Sequence, residues 1–203
     1  MKIALIGASG NIGSKVLNEA LSRGHQVTAI VRNTAKLAQR QGVTPQQCDL
    51  SQVDKLAGII AGADAVVVSV RHRENDVMQV LDACRKAGVR RILIVGGAAS
   101  LEASPGVRLL DTPGFPEEIR IEAAPAAETL DKIREVTDLE WTFQCPSIII
   151  EPGARTGKFR IGGDQLLKDD AGNSKISQED FAVAMLDELE NPQFIRKRFT
   201  VGY

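Results

Sequence analysis

Residues 2–21, "KIALIGASGNIGSKVLNEAL", set a short apolar run, three glycines at every third position and an amphipathic stretch in immediate succession. A strand that turns at once into a helix leaves few ways for the next elements to pack. Gly7 can take the tight turn, and Gly10 lets backbone N–H groups close on a pyrophosphate at the positive end of the helix. Gly13 lets helix and strand approach closely. Ser9 and Asn11 can add hydrogen bonds to phosphate oxygens. In this setting the spacing is a dinucleotide-binding fingerprint; a glycine turn with no ligand is the plainer alternative.

The rest of the chain repeats the rhythm. Apolar runs at 3–7, 25–31, 45–50, 64–70, 91–97 and 141–146 read as strands. Between them, "NIGSKVLNEALSRG", "NTAKLAQRQG", "SQVDKLAGIIAG", "NDVMQVLDACRKAG" and "ETLDKIREVTD" carry apolar residues at helical spacing. Gly24, Gly42, Gly62 and Gly88 stand where helices would stop, and Ser51 with Asp54 and Ser177 with Asp180 fit capping boxes. Nearly continuous apolar strands alternating with helices predict an α/β fold. Its form is a doubly wound parallel sheet, the NAD(P)-binding Rossmann arrangement, in one domain over 1–203. Ligands of such sheets bind outside the carboxyl ends of the strands, where strand order reverses. Two stretches break the rhythm: a proline-containing loop at 97–121, and 150–176, read as a hairpin ("GKFRIGGDQLLK") and a turn. Both follow strand ends, so a small substrate-side lobe is expected within 150–180.

Bulk properties exclude several classes. Net charge is −1, and neither Arg90-Arg91 nor "IRKR" is long enough to track a nucleic acid or an anionic membrane. Cys48, Cys84 and Cys145 are too far apart for a CxxC site, so no metal or disulfide framework is expected. Buried thiols in a reducing cytoplasm are the expectation, and the short apolar start is too brief for a signal core.

The second strand ends in "VRN". An NAD site usually places a carboxylate there for the ribose 2′-OH; Arg32 instead suits a 2′-phosphate, which predicts NADP with NAD as the lesser choice. Arg32 stacking on adenine, or simply solvated, is the alternative. Asp49, with Leu50 beside it at the end of the third strand, either meets the adenine amino group or serves as a turn residue.

"IGASGNIGSKVL", "AIVRN", "CDL", "DAVVVSV", "GGAASL", "EWTFQCPS", "PGARTGKFRIG" and "ISQEDFAVAMLDELE" together resemble the atypical short-chain dehydrogenase/reductases. Among them the likeness is strongest to the NADH-flavin reductase group, related to biliverdin reductase B and the NmrA-like proteins. That resemblance implies a pyrophosphate on Ser9, Asn11 and Ile12 and an adenosine phosphate at Arg32. It places the nicotinamide near Val70, Pro146 and Ser147.

The acceptor decides which side chains are required. Ketone reduction generates an alkoxide and needs a positioned proton donor. Most short-chain dehydrogenases use a tyrosine four residues before a lysine; here Glu128 precedes Lys132 by four, a pair that reads as a surface ion pair, and the single tyrosine is Tyr203. A flavin, quinone or conjugated tetrapyrrole delocalises the charge it accepts, so stacking two flat rings is the main task. The expected activity is therefore NAD(P)H-dependent reduction of FMN, FAD or a similar planar acceptor, by a monomer or homodimer. A non-catalytic NAD(P)-binding sensor is the alternative, and a sugar-nucleotide epimerase is disfavoured by the short lobe. Ser69, Arg71, His72, Ala99, Ser100, Pro146 and Ser147 are candidates to line the site, with Ser100, His72 and Ser147 as the catalytic ones. His72 could meet a ring carbonyl or donate a proton, but in "RHREND" it reads as an exposed loop histidine; Arg71 and Arg73 could meet a flavin phosphate but read as solvated charges. His25 reads as structural, Trp141 and Phe143 as core, and Arg155 and Lys158 either as attractors of an anion or as surface charges.

Overall fold

In the computed structural model of residues 1–203, the first apolar run is strand β1 (Lys2–Ile6) and the amphipathic stretch after it is helix α1 (Asn11–Ser22). Strands β2 (Gln26–Val31) and β3 (Val43–Gln47), helix α2 (Val53–Ile60), strand β4 (Ala65–Val68), helix α3 (Met78–Ala87) and strand β5 (Arg91–Val95) follow. A small hairpin of β6 (Glu102–Ser104) and β7 (Val107–Arg108) leads to α4 (Glu117–Ile133) and β8 (Glu140–Cys145). The chain closes with β9 (Ile149–Glu151), β10 (Arg160–Gly162), β11 (Lys175–Ser177), α5 (Gln178–Glu190) and β12 (Lys197–Gly202).

Eight strands form one sheet in the order β10-β12-β8-β5-β4-β1-β2-β3, parallel except for the edge strand β10. Alternate side chains serve opposite faces. Ala4 and Ile6 of β1, with Val66, Val68, Ile92 and Ile94, pack under α2, α3 and α4; Ile3 and Leu5, with Val67, Leu93 and Val95, pack under α1 and α5. Burial on both faces explains why β4 and β5 are apolar at almost every position. The doubly wound arrangement is as expected. Strand order reverses at β1, which lies between β2 and β4, so the crevice opens beyond Ile6 and Val68.

Five local expectations are corrected. The stretch "NTAKLAQRQG" forms one short 3-10 turn, Thr34–Lys36, because it buries no residue fully and offers only Leu37 to the core. Ser51 does not cap α2: its hydroxyl donates to the Asp49 carboxylate at 2.6 Å, and Gln52 precedes the helix without a side-chain cap. Segment 97–121 is not one open loop, since it holds the β6–β7 hairpin and the first turn of α4. "GKFRIGGDQLLK" does not fold back on itself. Its β10 half pairs antiparallel with β12, while Glu102 N–H donates to Asp164 O and Leu166 N–H to Glu102 O, so the second half lies along the 97–121 segment. Glu128 and Lys132 are both exposed, and no ion pair joins them; such exposed pairs contribute little in any case.

Candidate functional site

The turn after β1 is built on close backbone approach. Gly7 has φ +81°, and its N–H donates to Ile30 O at 2.9 Å. A Cβ there would stand 2.0 Å from Ser69 O, and a Cβ on Gly13 would stand 2.1 Å from Gly7 O. No other residue type fits either place. Gly10 N–H closes the turn onto Gly7 O at 2.9 Å, and the first helical bond runs from Ser14 N–H to Gly10 O. The N–H groups of Asn11, Ile12 and Gly13 open α1, where Gly10 supplies no side-chain cap and the first turn holds no acid. The other helix starts carry a nearby carboxylate: Asp54 in α2, Asp76 bonded to Met78 N–H before α3, Glu117 and Glu118 in α4, and Glu179 and Asp180 in α5. Ser9 and Asn11 are exposed, with no side-chain hydrogen bonds. A positive helix end with free donors and no internal anion fits a pyrophosphate.

Beside this turn lies a cavity of about 280 Å³ at the ends of β1, β2 and β4. Of the expected cofactor residues, Gly7, Ser9, Gly10, Arg32, Asp49, Leu50, Ser69 and Val70 line it. Asn11 and Ile12 lie at the adjoining helix start, while Pro146 is buried at the end of β8. Arg71, Glu74 and Asn75 also line the cavity. Glu74 and Asn75 were hidden in the charged run "RHREND", which reads as a solvated loop. The Asp49 carboxylate accepts from the backbone N–H and the hydroxyl of Ser51, and these two bonds hold it below its ordinary value. Its turn role is thus realised alongside its place in the cavity wall.

The chain belongs to the NAD(P)H-binding family. The model of that description matches residues 7–192, a span that begins on the glycine turn and runs through α5. A curated Bacillus subtilis relative, the uncharacterized protein YwnB, is 40% identical over 99% of this chain and 98% of its own. Among solved structures, a Bacteroides thetaiotaomicron protein provisionally named an epimerase has a TM-score of 0.93 at 41% identity, with 100% of this chain and 96% of that one covered. A Streptococcus pneumoniae protein provisionally named an NADH-flavin reductase has a TM-score of 0.88 at 32% identity, with 100% and 99% covered. These likenesses accord with the atypical short-chain dehydrogenase/reductase resemblance of the motifs.

The NAD(P)H-binding fold brings Ser100, His72 and Ser147 to the segments after β5, β4 and β8, and each is engaged by protein groups. His72 is not an exposed loop residue. Its Nε2–H donates to Val95 O at 2.8 Å, its Nδ1 faces the Thr129 hydroxyl at 3.0 Å, and its ring lies 5.9 Å from that of Phe143. Burial lowers its pKa against the opposing pull of the Val95 carbonyl, so the ring is neutral near pH 7. The backbone acceptor and the Thr129 hydroxyl come from β5 and α4, distant in sequence, which is why "RHREND" gave no sign of them. Ser100 is buried, donates to Gly97 O at 2.9 Å and lies 3.4 Å from the Cys145 thiol, whose pKa burial pushes up to about 11. Ser147 is buried and donates to Val201 O at 2.9 Å.

Arg155 and Arg73 also have partners, whereas the Lys158 side chain is exposed and pairs with no acid. Arg155 forms two 2.7 Å bonds to the buried Glu19 carboxylate, and Arg73 pairs with Glu122 at 2.6 Å. His25 is structural as expected, held between Glu190 and the chain's amino terminus. Trp141 and Phe143 are core. Sequence reasoning missed the role of Tyr203, whose phenol lies 2.8 Å from the Asp180 carboxylate and 2.9 Å from Ser177 Oγ. Asp180 also accepts from the backbone of Thr156 and Gly157, tying the 153–158 segment to the start of α5. Ser177 does cap α5, its Oγ accepting from Asp180 N–H at 3.0 Å.

Proposed function

We propose that the chain is an NAD(P)H-dependent reductase whose acceptor is a flavin, FMN or FAD, or a similarly flat conjugated ring such as a quinone. One observation carries this reading: a glycine turn too tight for any side chain delivers an uncapped, acid-free helix start to a cavity at the sheet's reversal point. Bound there, the reduced cofactor supplies a hydride. The pyrophosphate would be held by Gly7, Ser9, Gly10, Asn11 and Ile12, the adenosine by Arg32, Asp49 and Leu50, and the nicotinamide side by Ser69, Val70 and Pro146.

What the protein's own groups can do favours the flat acceptor. Ser100 and Ser147 donate to backbone carbonyls, His72 is neutral with its single N–H on Val95 O, and the Tyr203 phenol is engaged by Asp180 and Ser177. None is a free acid for an alkoxide, and a delocalised acceptor needs none at the moment of transfer. No helix is long and apolar enough to cross a membrane. A cytoplasmic monomer or homodimer, acting without nucleic acid, fits this chemistry.

The test is to mix protein and NADPH with and without FMN and follow absorbance of the nicotinamide band. Loss of NADPH that depends on FMN is the expected result. Tight NADPH binding with no turnover across flavins and quinones would overturn the reductase reading in favour of a non-catalytic sensor.

A further inference from the structure

Glu74 lies between two guanidinium groups at the mouth of the cavity. Its carboxylate is 3.5 Å from Arg32 Nη2 and 3.4 Å from Arg71 Nη1, and all three residues line the cavity wall. Both contacts are long beside the 2.6 Å pair of Arg73 with Glu122 on the same loop, so Glu74 straddles the two arginines without closing on either. The side chains of Arg32, Arg71 and Glu74 are 71%, 75% and 41% exposed, which leaves them free to rotate. The backbone beneath is held: Glu74 N–H donates to Arg71 O at 3.1 Å, and the Asn75 amide donates to the same oxygen at 2.8 Å. The other carboxylate in the cavity wall, Asp49, is bonded to Ser51 and feels Arg32 only from beyond ion-pair distance. Glu74 is the carboxylate within ion-pair distance of both arginines.

We propose that Glu74 is an internal counter-anion that holds the place of the cofactor's 2′-phosphate and sets how strongly this pocket discriminates NADP(H) from NAD(H). The inference rests on the reading that the cavity takes the adenosine half of the dinucleotide. A 2′-phosphate entering beside Arg32 meets a carboxylate already there, and like charge at such a separation opposes it. A ribose 2′-OH, by contrast, can donate to that carboxylate. Glu74 thus lowers NADP(H) affinity and leaves NAD(H) untouched or slightly favoured.

The experiment titrates 2′,5′-ADP and 5′-AMP calorimetrically into the wild-type protein and Glu74→Gln, at low and high salt. The expected result is 2′,5′-ADP binding about fivefold tighter to Glu74→Gln, with the gain shrinking in high salt, and 5′-AMP within about twofold. If both probes change in parallel, or neither changes, Glu74 has no such role although the nucleotide site stands. If the wild-type protein binds neither probe nor NADPH, the nucleotide reading falls and this inference falls with it.

Discussion

A Cβ on Gly13 would stand 2.1 Å from the carbonyl oxygen of Gly7, so the first turn of α1 presses on the loop that leaves β1. That contact fixes where the helix start points, and the donors of Asn11 and Ile12 point with it. Gly13→Ala must move helix and turn apart. We expect a loss of about 2–4 kcal/mol in denaturant unfolding, together with weakened NADPH binding. A variant as stable as wild type would show that the contact relaxes freely.

Arg32 lines the cavity with only a long contact to Glu74, and we assign it to the adenosine phosphate. Arg32→Asp should weaken NADPH by about 10- to 100-fold, the worth of a charge-assisted phosphate contact, and weaken NADH far less. The measurement is the pair of dissociation constants; an unchanged ratio would remove Arg32 from the phosphate contact.

His72 donates Nε2–H to Val95 O from a half-buried ring, and desolvation lowers its pKa below the ordinary 6.5. The unfolded chain therefore binds a proton at higher pH than the folded one. The stabilisation is complete above pH 6.5 and is lost as pH falls through the lowered folded value. NMR titration of the His72 ring should place its midpoint below 6.5. A midpoint above that value would mean the ring is charged and available as an acid.

The Asp180 carboxylate joins Thr156, Gly157 and Tyr203 at the start of α5. Burial raises its pKa, but the hydrogen bonds from Thr156, Gly157 and Tyr203 outweigh burial and hold it below its ordinary 3.8. Its contribution is present above that value and is lost as acid takes the pH through the lowered folded pKa. Tyr203→Phe should cost about 1 kcal/mol near neutral pH, with the difference from wild type shrinking in acid. Equal stability of the two proteins at neutral pH would show that the Tyr203–Asp180 bond contributes nothing.

Much of this was legible along the chain. The glycine turn is local, since Gly7, Gly10 and Gly13 act on one another and on neighbouring strands, so their spacing carried the fold and the cavity beside the turn. Strands buried on two faces announce themselves as apolar runs. What stayed hidden depends on partners distant in sequence. β10 pairs with β12 about 40 residues on, and short exposed strands carry little period. His72 looked exposed because Val95 and Thr129 close over it from other elements. Glu74 looked like solvated charge because its partner Arg32 lies on the far side of the switch point. Asp180 looked like a helix cap alone, because the phenol it binds is at the end of the chain.

The most direct test is a calorimetric titration of NADPH into wild type and Gly10→Asp. Gly10 has φ −76°, which any residue adopts, and a Cβ there would meet Gly7 O at 3.3 Å, so that oxygen must give by a few tenths of an ångström. Aspartate is a favoured helix cap and complements the helix dipole, so stability should hold to within about 1 kcal/mol. The same carboxylate would sit where we place the pyrophosphate. We predict one saturable site in wild type and binding weakened at least about 100-fold in Gly10→Asp. Equal binding by the two folded proteins, or none by wild type, would contradict the helix start as the cofactor's anchor.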